Sequence, residues 1–484
     1  MDEKICSTGL TELDAFLKGG LPRKRLYVVQ GEPGAGKTTL ALQFLMEGLR
    51  ALERCLYIAL SETKDELTQV VDSHGWALGA IAVLDLADVQ HLVAPDEQST
   101  VFHASEVELQ ATTQVILKEV ERIKPHRIVL DSLTEMRLLS ESPLRFRRQM
   151  LALKQLFAGI GCTTLLLDDV KGAASDVQIE SIAHGVIRLD VLPDSYGKTR
   201  RQLRVTKMRG INFRQGSHDY IIGTGGLVLF PRLVAAEHRR DYNRDVITTG
   251  IADLDRLLGG GVQPGTSTLV AGPAGAGKTT LCFQLASALA QQGRKVVGYV
   301  FDENLDVLLE RGGTLGRAIR QQHQSGHLRL EQIDPAEISP GEFATRIRRA
   351  VEKDDARVIV LDSLNGYLKA MPDEDHLALQ LHELRTYLGQ QGVITLLILS
   401  QSGGVGEVIS PVDVSYLADG IIVLRFYEAA GEIRKAITML KKRTGPHETT
   451  IRDFQIDTDG VKLGQPLRHI QGVLTGTPQH QQAD

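Results

Sequence analysis

A chain of 484 residues is about three ordinary domain lengths, so at least two hydrophobic cores are expected. Its 42% hydrophobic and 24% charged residues exclude a disordered or fibrous protein, and a net charge of −5, from 55 Lys+Arg against 60 Asp+Glu, argues against a surface built mainly to bind nucleic acid. Four cysteines, Cys6, Cys55, Cys162 and Cys282, form no CxxC pair, which speaks against a thiolate zinc site or a disulfide framework. No apolar run reaches the ~18 residues that span a bilayer, and the opening MDEKICSTG lacks a basic-then-apolar signal, so a cytoplasmic protein with no membrane partner is expected.

Taken in chain order, the first copy of a repeat begins at Ser7. STGLTELDAFLKGGLPRKRLYVVQGEPGAGKTTLALQF returns without a gap from Thr248 as TTGIADLDRLLGGGVQPGTSTLVAGPAGAGKTTLCFQL. Gly9 maps onto Gly250, Asp14 onto Asp255 and Lys37 onto Lys278, each 241 positions later. In the first copy LYVVQG is followed by the helical period of TTLALQFLMEGLRAL, then by CLYIAL, RIVLDSL, CTTLLLD and AHGVIRLD. The second copy repeats the order with STLVAG, KVVGYVF, RVIVLDSL, ITLLILS and DGIIVLRF. Short continuous apolar runs suit strands buried on both faces, and their alternation with helices predicts a mainly parallel sheet flanked by helices. Each copy closes on a strand-rich stretch, QLRVTKMRG then HDYIIGTGGLVLFP and AITMLKKRTG then TIRDFQIDTDGVKL, read as a hairpin. The charged, aperiodic AAEHRRDYNRD predicts a linker at 235–247 between domains at 1–234 and 248–470. A short tail, 471–484, follows, and QHQQAD after Pro478 is expected to be disordered.

Chemistry enters at two Gly-rich turns. Residues 31–38 read GEPGAGKT and residues 272–279 read GPAGAGKT; both match GxxxxGKS/T and lie between a predicted buried strand and an amphipathic helix. Glycines let backbone N–H groups curl around phosphate oxygens while the following helix presents its positive end. Gly34, Ala35, Gly36, Lys37, Thr38 and Thr39, with Gly275, Ala276, Gly277, Lys278, Thr279 and Thr280, are therefore the expected ATP-binding residues. Lys37 and Lys278 would reach the β/γ-phosphates, and the hydroxyls of Thr38 and Thr279 would hold Mg²⁺. IVLDSL occurs twice, placing Asp131 and Asp362 at strand ends as further Mg²⁺-holding carboxylates, with a helix cap as the alternative reading. Lys37 to Asp131 spans 94 residues and Lys278 to Asp362 spans 84, which predicts an insertion of about ten residues near Pro95 to Ser105. At the tip of the strand after each loop helix stand Glu62, and Asp302 with Glu303. A carboxylate there can face the γ-phosphate and orient or deprotonate an attacking water, and these three are the expected catalytic acids.

The tandem loops, the GLxxLD approach, IVLDS, and KMRG or KKRT near each domain end together resemble the KaiC-type clock ATPases of the RecA superfamily, over nearly the whole chain. The resemblance implies an α/β fold of two tandem RecA-like P-loop NTPase domains and a two-tiered homohexamer with ATP between neighbouring subunits. It also implies that the segments Lys207, Met208, Arg209 and Lys441, Lys442, Arg443 touch the adjacent subunit's nucleotide. The family's paired acids match Asp302 and Glu303, whereas in the first copy Ser61 replaces the first acid and only Glu62 matches. The family's second domain phosphorylates itself on an adjacent Ser and Thr before a strand; here VSYLADGIIVL keeps Ser415 as the candidate phosphosite and has Tyr416 in place of Thr. The resemblance thus implies an ATPase with ATP and Mg²⁺ as its cofactors, an autokinase activity on serine or threonine, and protein signalling partners. Two other classes stay open: a nucleotide-gated scaffold with negligible turnover, and a RecA-like DNA-dependent ATPase. Against the second, aromatic residues make up only 5% of the chain and Trp76 is the sole tryptophan, which leaves little to stack on single-stranded bases.

Overall fold

Uninterrupted burial along Leu26–Gly31 fits β1 as the middle strand of a nine-stranded sheet, because only a strand covered on both faces is buried at every position. The computed structural model describes residues 4–86, 104–140, 142–169, 176–192, 197–310, 313–369, 374–401, 418–429, 431–474 and 479–480. The chain divides into two units, Met1–Arg232 and Leu233–Asp484.

In the first unit β2 (Cys55–Ala59), β3 (Ala82–Asp85), β4 (Arg127–Asp131), β5 (Thr163–Asp169) and β6 (Gly185–Val191) run parallel to β1. Three antiparallel strands extend this sheet: β7 (Arg201–Met208), β8 (Ser217–Gly223) and β9 (Gly226–Phe230). The order across it is β9-β8-β7-β6-β1-β5-β4-β2-β3. The closing stretch is thus one antiparallel strand followed by a hairpin, because residues 209–216 separate β7 from β8. Helices α1 (Lys37–Arg50), α2 (Lys64–Ser73), α3 (Ala104–Ile123), α4 (Leu133–Leu139) and α5 (Pro143–Ile160) cover the faces. Thr63 and Glu66 form a capping box at the start of α2, and Ser142 caps α5 ahead of Pro143. One core cluster, around Tyr27, Phe44 and Tyr57, lies on one face of the sheet, and another, around Ile58, Leu130 and Phe157, on the other.

The second unit repeats this order. Its strands are β10 (Ser267–Gly272), β11 (Val296–Val300), β12 (Leu328–Gln332), β13 (Val358–Asp362), β14 (Ile394–Ser400), β15 (Gly420–Ala429), β16 (Glu432–Lys442), β17 (Arg452–Asp457) and β18 (Gly460–Pro466). They lie as β18-β17-β16-β15-β10-β14-β13-β11-β12. The expected α/β class with two tandem RecA-like domains is what these sheets form. Helices α6 (Lys278–Gln291), α7 (Leu305–Glu310), α8 (Gly313–Gln324), α9 (Pro340–Glu352), α10 (Leu364–Lys369) and α11 (Glu374–Gln390) flank the second sheet. Between β11 and β12 this unit has two helices where the first unit has only α2, so the copies differ there. Most of the insertion expected near Pro95 to Ser105 lies outside the described residues.

The stretch 235–247, expected as a linker, lies against the second unit. Leu233 and Ala235 are buried in its core, the Ala235 N–H donates to the Glu383 carboxylate at 3.1 Å, and the Arg240 N–H donates to Gln390 O at 3.2 Å. The expected disorder after Pro478 is corrected in part. Gln479 and His480 pair antiparallel with Gln471 and Ile470, beside Val473, which is buried against Tyr427 and Ala436.

Candidate functional site

The turn 31–38 leaves the carboxyl end of β1 and enters α1 through Gly36, which has φ +89°. A Cβ there would stand 2.6 Å from Ile222 Cδ1, so the hairpin of β8 and β9 closes on the turn and only glycine fits. Tyr220 of the same hairpin donates its hydroxyl to Ala35 O at 2.5 Å. The outer side of the turn is open: Gly34, at φ +80°, has nothing within 4 Å of the place a Cβ would take. Lys37 is buried, and its ammonium donates to Gly31 O at 2.9 Å and Glu32 O at 3.1 Å and pairs with Asp169 Oδ1 at 2.7 Å. Thr38 Oγ1 donates to Asp131 Oδ2 at 3.2 Å, and the same carboxylate oxygen accepts the Tyr57 hydroxyl at 2.5 Å. Burial pushes the Asp131 carboxyl above its ordinary range, opposed by the hydrogen bonds from Tyr57 and Thr38 and by the charge of Lys37.

Glu62 completes the group. Burial first, then the negative charges of Asp131, Glu66 and Asp169, push its carboxyl up to about 7, against the pull of Lys37. Its Oε2 is buried without a hydrogen-bond partner. An acid in that state can take a proton near neutral pH once a water or hydroxyl is delivered to it. Thr39 faces away from the turn, its hydroxyl 3.3 Å from His74 Nε2.

In the second unit Gly277, at φ +103°, meets Ile456 as Gly36 meets Ile222: a Cβ would stand 2.3 Å from Ile456 Cδ1. Ala276 is buried, and Gly275 takes φ +77°. Lys278 is buried and donates to Pro273 O at 2.8 Å; burial pulls its ammonium below the ordinary range. Asp362 ends β13, and Thr279 and Thr280 open α6 half-buried. Asp302 accepts the Ser363 hydroxyl beside Asp362, while Glu303 is half-buried at the tip of β11. The copies also differ inside the sheet. Both β2 and β11 end beside the strand that carries the second-motif aspartate, Ala59 opposite Asp131 and Val300 opposite Asp362, so Gly298 stands where Tyr57 stands.

Lys207, Met208 and Arg209 are not brought to Lys37. Met208 pairs with Gly185 at the amino end of β6, whereas Gly31 pairs with Leu189, about 13 Å further along the strand. There Lys207 donates to Glu180 O and Arg209 to Ser181 O at 3.2 Å, and Met208 packs on Gly185. Lys441, Lys442 and Arg443 occupy the same end of the second sheet: Lys442 pairs with Gly420, Lys441 donates to Ala418 O at 2.9 Å, and Arg443 lies 3.5 Å from the Asp419 carboxylate. Neither segment meets the nucleotide turn of its own unit. Ser415 lies outside the described residues.

The repeated Asp14 and Asp255 are local braces. Asp14 accepts the Ser7 hydroxyl at 2.6 Å and the Thr8 N–H at 2.8 Å, and Asp255 accepts the Thr249 N–H at 2.7 Å. Sequence reading missed Asp169, Asp168, Tyr57 and Thr134. Asp168, fully buried, pairs with Arg137 at 2.9 Å, and Thr134 donates to Asp169 Oδ2 at 3.2 Å. The run TTLLLDD carried the signal: two acids at the carboxyl end of a buried strand, next to a Gly-rich turn.

A triphosphate with Mg²⁺ fits the first turn. The turn's open side, the buried ammonium, and the hard oxygens of Thr38 and Asp131 supply what that ligand needs, and Glu62 Oε2 is the unsatisfied buried atom beside them. The family model described as "ATPase: KaiC" matches residues 6–234 and again 247–468. The chain belongs to the KaiC ATPase family. It is 27% identical to "Circadian clock protein KaiC3" of Synechocystis sp. (strain ATCC 27184 / PCC 6803 / Kazusa), over 99% of this chain and 95% of that protein. It is 24% identical to "Circadian clock oscillator protein KaiC" of Acaryochloris marina (strain MBIC 11017), over 97% and 90%, and to that of Thermostichus vulcanus, over 98% and 92%. Membership places the chain among P-loop ATPases, and no helix among the described residues is long and apolar enough to cross a membrane.

Proposed function

We propose that each unit binds one Mg-ATP at its turn and hydrolyses it, with Glu62 and Glu303 setting the attacking water. The observation that carries this reading is the convergence of Lys37, Thr38, Asp131 and an unsatisfied Glu62 at one strand end, repeated in outline by Lys278, Thr279, Asp362 and Glu303. Thr38 with Asp131, and Thr279 with Asp362, would hold Mg²⁺, whose charge would offset that building on the γ-phosphate. The lysines bind and orient the phosphates. Glu62, its carboxyl lifted to about 7 by its surroundings, would take the water's proton as the carboxylate, the form that the positive charges of Lys37 and Mg²⁺ favour.

The chain acts as a homohexamer in this reading. The Lys207 and Lys441 segments sit at the far end of the sheets from their own turns, which supports a role toward the nucleotide of an adjacent subunit. Arg209 and Arg443 would then supply fixed positive charge to a neighbour's γ-phosphate. Autophosphorylation of Ser415 and a part in signalling or timing, with protein partners, belong to the same proposal and rest on the family and on relatives named for the circadian clock. A cytoplasmic setting is supported by four free, buried cysteines.

Purified chain is incubated with Mg²⁺ and γ-labelled ATP, and free phosphate and protein-bound label are measured together, with Glu303→Gln and Asp302→Asn alongside. Free phosphate with label that disappears in the variants is the expected result. Phosphate without label removes the autokinase; tight ATP binding with neither product leaves a scaffold.

A further inference from the structure

The two lysines of the nucleotide turns do not stand in the same electrostatic state. β5 and β14 are equivalent seven-residue strands: each runs parallel to the strand that feeds the turn, with Asp169 opposite Gly31 and Ser400 opposite Gly272. At this one position the first unit has a carboxylate and the second a hydroxyl. Asp169 is held in place by Thr134 and pairs at 2.7 Å with the buried Lys37. Among the described residues Lys278 makes no ion pair: it donates to Pro273 O, and the Asp362 carboxylate acts on it as a nearby charge without pairing.

We propose that Asp169 is a positioning residue that stands in for a phosphate on Lys37, so that the first unit exchanges an internal ion pair for nucleotide while the second binds nucleotide on a lysine with no such pair. This rests on the reading that the turns bind ATP. A buried ammonium losing its carboxylate is costly, so the empty first turn is stabilised by Asp169, and the same carboxylate competes with the incoming phosphates and repels them once they are bound. The first unit therefore binds ATP more weakly than the second, and the difference resides in one side chain.

The test uses the full chain with one unit silenced and a non-hydrolysable ATP analogue with Mg²⁺ as probe. In a Lys278→Ala chain, Asp169→Asn raises the affinity of the first unit by about tenfold or more, a gain that structural damage does not produce. The same change lowers the stability of the nucleotide-free first unit, read from the fluorescence of Trp76, the only tryptophan and one that packs on that unit's core. Conversely, in a Lys37→Ala chain, Ser400→Asp weakens the second unit by a similar factor. Unchanged or weaker binding in the Asp169→Asn chain overturns the proposal and makes Asp169 a bystander or a ligand of the nucleotide. If that variant does not fold, unchanged affinity in the Ser400→Asp chain overturns it instead. A Lys37→Ala, Lys278→Ala chain that still binds the analogue would remove the underlying reading, independently of Asp169.

Discussion

At the scale of single residues, Glu62 and Asp169 separate two kinds of acid around one lysine. Asp169 is paired and spends its charge on Lys37; Glu62 has a buried oxygen with no partner and a carboxyl lifted to about 7. Glu62→Gln should therefore cut turnover by the first unit about 10²-fold, with ATP affinity little changed, measured in a Lys278→Ala chain. Away from the site, His218 is fully buried on Phe16, its Nδ1 accepting the Arg232 N–H at 3.0 Å, and burial with the charges of Arg214 and Arg232 lowers it to about 4. Below the ordinary histidine value near 6.5 the unfolded chain takes up a proton that the folded one refuses. Stability is thus whole above that pH and is lost as pH falls toward 4. Relative to His218→Gln, the wild-type first unit should lose about 2 kcal/mol between pH 7 and 5 in urea unfolding followed at Trp76. The loop lysines and strand-end aspartates were legible because their spacing is tied to a strand, a turn and a helix. Tyr57 and Arg127 were not: one reads as a strand filler and the other as a strand's solvated flank, yet Tyr57 holds Asp131 and Arg127 is buried against Glu53 and the Phe44 ring.

At the scale of elements, the hairpin that closes each unit is part of the nucleotide turn. Ile222 and Ile456 occupy the space a Cβ would need at Gly36 and Gly277, and Tyr220 bonds the turn at Ala35. Gly36→Ala should destabilise the first unit by about 2–4 kcal/mol and abolish nucleotide binding there, through a clash and a left-handed backbone. Adding Ile222→Ala should recover part of that loss, because the clash is relieved while the backbone strain stays; denaturation of the single and double variants measures the coupling. The parallel strands and loop helices were legible from their apolar runs, which have nowhere to be but a doubly covered sheet. The hairpin's contact with the turn was not, since it joins residues about 180 positions apart and leaves no periodicity behind.

For the molecule as a whole, two copies of one sheet order carry turns of unequal surroundings. Tyr57, Ser61, Glu62 and Asp169 of the first copy are replaced in the second by Gly298, Asp302, Glu303 and Ser400. If Arg209 serves the adjacent subunit, Arg209→Ala and Lys37→Ala chains, each also carrying Lys278→Ala, should be about 10²-fold impaired alone and regain turnover when mixed into one oligomer. No recovery on mixing would confine Arg209 to its own subunit. The measurement that tests the account most directly is the stoichiometry of a non-hydrolysable ATP analogue with Mg²⁺ at equilibrium. The account predicts two bound per wild-type chain, one for Lys37→Ala, one for Lys278→Ala and none for the double variant. A double variant that binds as the wild type does would contradict it.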